Sequence, residues 1–96
     1  KSYAKILFIV GLENPNYMEN LNFTEKINQK LIEKYPNLSK GIYKKAGPGV
    51  NGVYNQDLAP RSILVEIGGP ENSIDEVLNT SLAFAECFLE VLKDEV

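Results

Sequence analysis

Ser62-Ile63-Leu64-Val65-Glu66-Ile67-Gly68-Gly69 is an apolar, β-branched run with one carboxylate near its end and two glycines closing it. Such a run reads as a strand buried on at least one face. An unpaired ionised carboxylate inside it would cost several kcal/mol, so Glu66 needs a reason. Two readings are open. If the strand is parallel to its neighbours and stops at Gly68, Glu66 falls at the carboxyl rim, where open α/β sheets gather groups for ligands. If the strand lies at an edge, Leu64 and Glu66 share a solvent-facing side while Ile63, Val65 and Ile67 face a helix. These eight residues by themselves lean to the second reading.

Working outward, Ala4-Lys5-Ile6-Leu7-Phe8-Ile9-Val10-Gly11 is a near-continuous apolar run ended by glycine, the pattern of a central parallel strand. Asn16-Tyr17-Met18-Glu19 has the form of a capping box and predicts a helix start. Leu21, Thr24, Ile27, Leu31 and Tyr35 recur at helical spacing up to Pro36, as one buried stripe. Gly41 to Lys45 reads as a short strand at a sheet edge, where lysines discourage stray pairing. From Ala46 to Pro60 the chain is loop-like, rich in Gly, Pro and Asn, and a loop of that length in a small domain is often functional. Ser73-Ile74-Asp75-Glu76 is a second capping box. Behind it Leu78, Ser81, Leu82, Ala85, Phe88, Leu89, Leu92 and Val96 form a stripe widened by Val77, Phe84 and Val91, so this helix is expected to be buried over much of its circumference.

Strand, helix, edge strand, loop, strand, helix is a βαβα alternation, which predicts an α/β sheet with mostly parallel strands. A parallel sheet needs cover on both faces, and this one is thin. The chain is therefore expected to be a portion of a larger three-layer domain.

Ninety-six residues suit one domain with a modest core. The 44 % hydrophobic and 24 % charged content is that of a globular protein, not a disordered one. A formal net charge of -3 offers no basic stripe for phosphates, which argues against nucleic acid as a partner. The single cysteine, Cys87, lies in a periodic apolar helix and reads as core filling. No apolar run reaches the length of a membrane span, and Lys1-Ser2-Tyr3 lacks a signal-peptide pattern, so any anchor or export segment of a parent protein is expected outside these residues. There is no histidine, so imidazole acid/base chemistry and histidine zinc ligation must come from elsewhere.

Beside Glu66, several residues are candidates for binding. Asn14 follows the first strand and would share a rim with Glu66 if the strands were parallel. Asn55, Gln56 and Arg61 precede the last strand, where turn and cap roles compete with binding, and Asp57 fits a turn better than a site. Arg61 is one possible partner for Glu66, a surface carboxylate the other. Gly68 and Gly69 either permit a turn at positive φ or let a ligand approach Glu66 closely. Phosphate loops, dinucleotide fingerprints, Cys-x-x-Cys pairs and nucleophile elbows are absent from the sequence.

Ala4 to Gly11 followed by Glu13-Asn14-Pro15-Asn16-Tyr17, and then Tyr54-Asn55-Gln56-Asp57-Leu58-Ala59-Pro60-Arg61 leading into Ser62 to Gly69, resembles the C-terminal part of the stage II sporulation protein P family of cell-wall hydrolases. More distantly, Pro60 to Gly68 is similar to the Pro-x-x-Leu-Val-Glu-x-Gly signature of zinc-dependent N-acetylmuramoyl-L-alanine amidases. The resemblance implies that residues 1–96 are the C-terminal portion of an amidase-like catalytic domain, with Glu66 as the catalytic carboxylate. It implies a Zn2+ cofactor whose ligands lie outside this chain, with no metal ligand within it, so that the chain alone is expected to be inactive. Peptidoglycan is the implied substrate, cut at the lactyl to L-alanine amide and by resemblance also at peptide cross-links, during septal wall degradation and engulfment. Other engulfment proteins, including a lytic transglycosylase and a membrane scaffold, are the implied partners, at an extracytoplasmic, membrane-anchored location on the sporulation septum. The competing reading is a non-catalytic wall-binding or scaffolding module, which the missing histidines favour.

Overall fold

The computed structural model describes residues 1–46 and 62–95, in the order β1 (Ile6–Gly11), α1 (Tyr17–Lys34), β2 (Ser39–Lys45), β3 (Leu64–Ile67) and α2 (Ile74–Asp94). The strands form one sheet in the order β2-β1-β3. The apolar run of β1 takes the centre, as its pattern predicts, because only the middle strand has both edges paired and both faces drawn on for packing. β2 lies parallel to it at one edge, with Phe8 opposite Ile42 and Val10 opposite Lys44. Between Ile6 and Phe8 the register slips, so that Lys40 and Gly41 together oppose Leu7. Gly41 absorbs the extra residue at φ +96, and its N–H donates to Ser39 Oγ at 2.9 Å.

β3 corrects the expectation of mostly parallel strands. It runs antiparallel to β1, with Leu7 opposite Glu66 and Phe8 opposite Val65. A parallel β3 would require the chain to return along the whole sheet, ordinarily through a crossover helix, whereas an antiparallel strand can begin at the end where β2 stops. β3 is thus an edge strand, with Ile63, Val65 and Ile67 packed on the core and Glu66 exposed.

Both helices cover the same face. Phe23, Ile27 and Leu31 of α1 and Ala83, Cys87 and Val91 of α2 close on Ile6 and Phe8, with Phe88 edge-on to Phe23 and Phe84 tilted against Phe8. Each large apolar side chain so buried contributes about 1.5–3 kcal/mol. Among the described residues the layers are two, one sheet and the helices on one of its faces. The helices run antiparallel, joined by Lys26–Glu95 at 3.2 Å, Lys30–Glu90 at 3.9 Å and Lys34–Glu86 at 2.8 Å. These exposed pairs add little each and mainly set the helix register. The Lys34 ammonium and the Tyr35 hydroxyl beside Glu86 hold its carboxyl below the usual range.

Two further expectations are corrected. Asn16 stands at the N-cap of α1, but at φ -99 and ψ 13 its side chain makes no cap bond. The amide of Asn14 does the local work instead, donating to Gly11 O at 2.7 Å and accepting from Asn16 N at 2.8 Å. The box at Ser73 and Glu76 forms as predicted, with Glu76 N donating to Ser73 Oγ at 3.1 Å and Ser73 N to Glu76 Oε1 at 2.9 Å. On α2, however, the buried face is Thr80, Ala83, Cys87 and Val91, while Ile74, Leu78, Leu82 and Leu89 are 79, 54, 67 and 54 % exposed. The small residues let α2 approach the sheet closely, and Thr80 Oγ1 donates to Ala4 O at 2.5 Å. The larger leucines are thereby turned outward.

Candidate functional site

The face of the sheet opposite the helices carries the candidate site. Residues paired across a sheet share a face, so Glu66 stands beside Leu7 on that side. A cleft of about 460 Å³ opens there, lined by Tyr3, Lys5, Leu7, Lys40, Glu66, Gly68, Glu71 and Asn72. Glu66 is held by backbone pairing on a strand anchored through Val65 and Ile67, with its carboxylate free in solvent. Lys5 donates to Asn37 O, and Lys40 enters the cleft at the β2 bulge. The four charges of the cleft, Lys5, Lys40, Glu66 and Glu71, balance.

Behind Glu66 the chain turns sharply. Gly68 adopts φ +71, and its N–H donates to Lys5 O at 2.8 Å, ending the β1–β3 ladder. Asn72 Oδ1 accepts from Gly69 N at 2.9 Å, and Asn72 Nδ2 donates to Glu76 Oε1 at 3.3 Å. The turn is therefore locked to the capping box of α2. The Ser73 N–H and the Asn72 amide hold the Glu76 carboxyl below its ordinary value. At Gly68 the requirement for positive φ is met in the turn itself.

The structure separates the other candidates from Glu66. Because β3 is antiparallel, its carboxyl end lies at the amino end of β1, so Asn14, beyond Gly11, stands at the opposite end of the sheet. Asn14 is also 2 % exposed, and its amide is engaged by the turn. Asn55, Gln56 and Arg61 lie outside the described residues. Sequence reasoning missed Lys5 and Lys40. Lys5 shares strand parity with Leu7 and was detectable by alternation, but Lys40 depends on a bulge that no residue pattern announces.

A zinc set does not fit here. The chain has no histidine, and among the described residues no three acidic or cysteine side chains converge to hold a metal. Cys87 is fully buried, and burial pushes its thiol up to about 11, which makes it a core residue and not a ligand or nucleophile. The groove between the helices, lined by Lys26, Lys30, Val91 and Glu95, is occupied by the interhelical ion pairs. Among the described residues no helix is long and apolar enough to cross a membrane.

A family model described as Stage II sporulation protein P (SpoIIP) matches residues 1–89. A relative from Bacillus subtilis (strain 168), named Stage II sporulation protein P, is 42 % identical over 94 residues, which cover 98 % of this chain and 23 % of the relative. The chain thus spans about a quarter of the length of that curated relative. No solved structure matches.

Proposed function

The chain belongs to the stage II sporulation protein P family, a family of sporulation proteins, and on that premise we propose that it is the C-terminal portion of a peptidoglycan hydrolase in which Glu66 transfers protons. The observation that carries the reading is Glu66 itself: an exposed carboxylate at a fixed position on a strand, beside an apolar floor at Leu7, in a cleft open to a polymeric substrate. The reaction is hydrolysis of the amide between the lactyl group of N-acetylmuramic acid and the L-alanine of the stem peptide. Water adds to the carbonyl carbon as Glu66 accepts one of its protons. The same carboxyl then gives that proton to the departing amine nitrogen as the C–N bond breaks, leaving carboxylic acid and free amine. Positioned proton transfer of this kind contributes about 10² to 10⁴-fold.

Zinc of the whole protein, in this reading, is held by residues outside the chain, and nothing in the proton transfers assigned to Glu66 depends on a ligand from within it. On the same reading the protein works outside the cytoplasm at the sporulation septum, anchored through another segment, with a lytic transglycosylase and a membrane scaffold of the engulfment machinery as its partners. The test is Glu66→Gln in the full-length protein. Release of stem peptides from purified sacculi falls at least about 100-fold while the circular-dichroism spectrum is retained. Undiminished release refutes the assignment.

A second reading, a non-catalytic wall-binding module, is favoured by the lack of histidine and of a converging metal set among the described residues. Under it, the full-length Glu66→Gln protein sediments with sacculi and releases stem peptides as the unaltered protein does.

A further inference from the structure

The bulge in β2 places a cation opposite Glu66. Since Ile6 pairs with Ser39 and Phe8 with Ile42, Lys40 and Gly41 flank one side of Leu7, while Glu66 pairs with Leu7 on the other. Lys40, Leu7 and Glu66 form a row across the sheet, the charged residues about 10 Å apart at the backbone for strands ~4.8 Å apart. All three line the same cleft, with Lys5 joining from the preceding turn of the β1 pleat. Opposite charges in one cleft would ordinarily close on each other. Here neither Lys40 nor Glu66 takes part in an ion pair among the described residues. A free ammonium and a free carboxylate on either side of an apolar floor suit a ligand that brings an amide to one and an anion to the other.

We propose that Lys40, seconded by Lys5, binds the free α-carboxylate of the second stem-peptide residue, the one adjoining the alanine whose amide Glu66 addresses. This rests on the reading of Glu66 given above. In an extended dipeptide that carboxylate lies about 6 Å from the amide nitrogen, within two residue lengths of ~3.3–3.6 Å. Lys40 and Glu66 side chains leaning inward over Leu7 span that distance, and Leu7 then meets the alanine methyl. An ammonium on a flexible stem makes a charge-assisted hydrogen bond without demanding a fixed approach angle. Lys40 is accordingly a specificity residue: it distinguishes a stem peptide with a free α-carboxylate from one in which that group is amidated.

The experiment uses full-length protein and two soluble muramyl peptides, one with D-glutamate and one with D-isoglutamine at the second position. The unaltered protein prefers the carboxylate substrate by about tenfold in kcat/KM, chiefly through KM, as loss of one charge-assisted bond implies. Lys40→Gln brings that ratio near one, and Lys40→Arg restores most of it. A ratio near one in the unaltered protein, or Lys40→Gln slowing both substrates equally with the ratio intact, overturns the proposal. Titration calorimetry of N-acetyl-L-alanyl-D-glutamine, whose α-carboxylate is its one charged group, into Glu66→Gln protein, with and without Lys40→Gln, separates this claim from the catalytic one. Full activity of Glu66→Gln overturns the role of Glu66, whereas an affinity indifferent to Lys40 overturns the subsite.

Discussion

Replacing Gly68 with alanine tests how the turn behind Glu66 is held. Gly68 sits at φ +71, where an added Cβ meets Asn72 Oδ1 at 2.7 Å and Ala4 Cβ at 3.0 Å. The left-handed backbone costs an L-residue about 1–2 kcal/mol. Relieving the contact at Asn72 also displaces the acceptor of the Gly69 N–H, now at 2.9 Å, for about 0.5–1.5 kcal/mol more. Gly68→Ala is therefore expected to destabilise the chain by about 2–3 kcal/mol, a large share of the ~5–15 kcal/mol typical of a domain. In a domain of this size that lowers Tm by about 10 °C or more. The control is Gly69→Ala. Its backbone is outside the left-handed region, and its Cβ would meet only the Glu71 carboxylate oxygens at 3.2 Å, the far end of a flexible side chain. It should cost less than about 0.5 kcal/mol, as most surface changes do. Urea denaturation followed by circular dichroism measures both. Equal costs for the two variants, or a smaller one at Gly68, would refute the reasoning.

Ser73→Ala removes the cap of α2 and should cost about 1 kcal/mol in the same denaturation assay. The Glu76 carboxyl is lower in the folded chain than its ordinary 4.5, so its contribution is fully present above that value and disappears as pH falls through the depressed one. Glu76→Gln should flatten that acid limb of the stability profile, and an unchanged limb counts against the linkage. Cys87, fully buried and raised to about 11, should resist a disulfide reagent at pH 8 until denaturant is added, and rapid native-state modification would contradict its place in the core. Leu82→Lys on the outer face of α2 should change chain stability by no more than about 0.5 kcal/mol. Phe8→Ala should cost about 3–5 kcal/mol, and comparable losses for the two would show that α2 buries a different face.

Local patterns carried the elements. β1, α1, β2, β3 and α2 were all legible as stretches, because apolar alternation and the Ser73 box are properties of a few adjacent residues. Glu66 was legible for the same reason, as one charge in an apolar run, and the edge-strand reading anticipated its exposure. Asn16 shows where such reasoning fails. Its neighbourhood has the letters of a capping box, yet Asn14 reaches the Asn16 N–H first, and the backbone settles at ψ 13. Two side chains competing for one donor cannot be ranked from spacing alone. In α2 the apolar stripe was split: Phe84, Phe88, Val91 and Leu92 pack on the core while Leu78, Leu82 and Leu89 face outward, and the closest approach falls to the small Thr80, Ala83 and Cys87.

By itself the sequence determined that this is an α/β chain, that its apolar strand Ile6–Gly11 is central, and that Glu66 stands out chemically. It also matches the stage II sporulation protein P family over residues 1–89. The tertiary structure alone decided strand direction, and with it which residues keep company. An antiparallel β3 carries Glu66 away from Asn14 and brings it level with Leu7, Lys5 and Lys40. The physical reason is that hydrogen-bonded ladders form almost equally well in either direction, so a strand's own residues leave its direction undetermined. Direction is set by how the connection travels and by which face the helices cover, and those are properties of the whole chain.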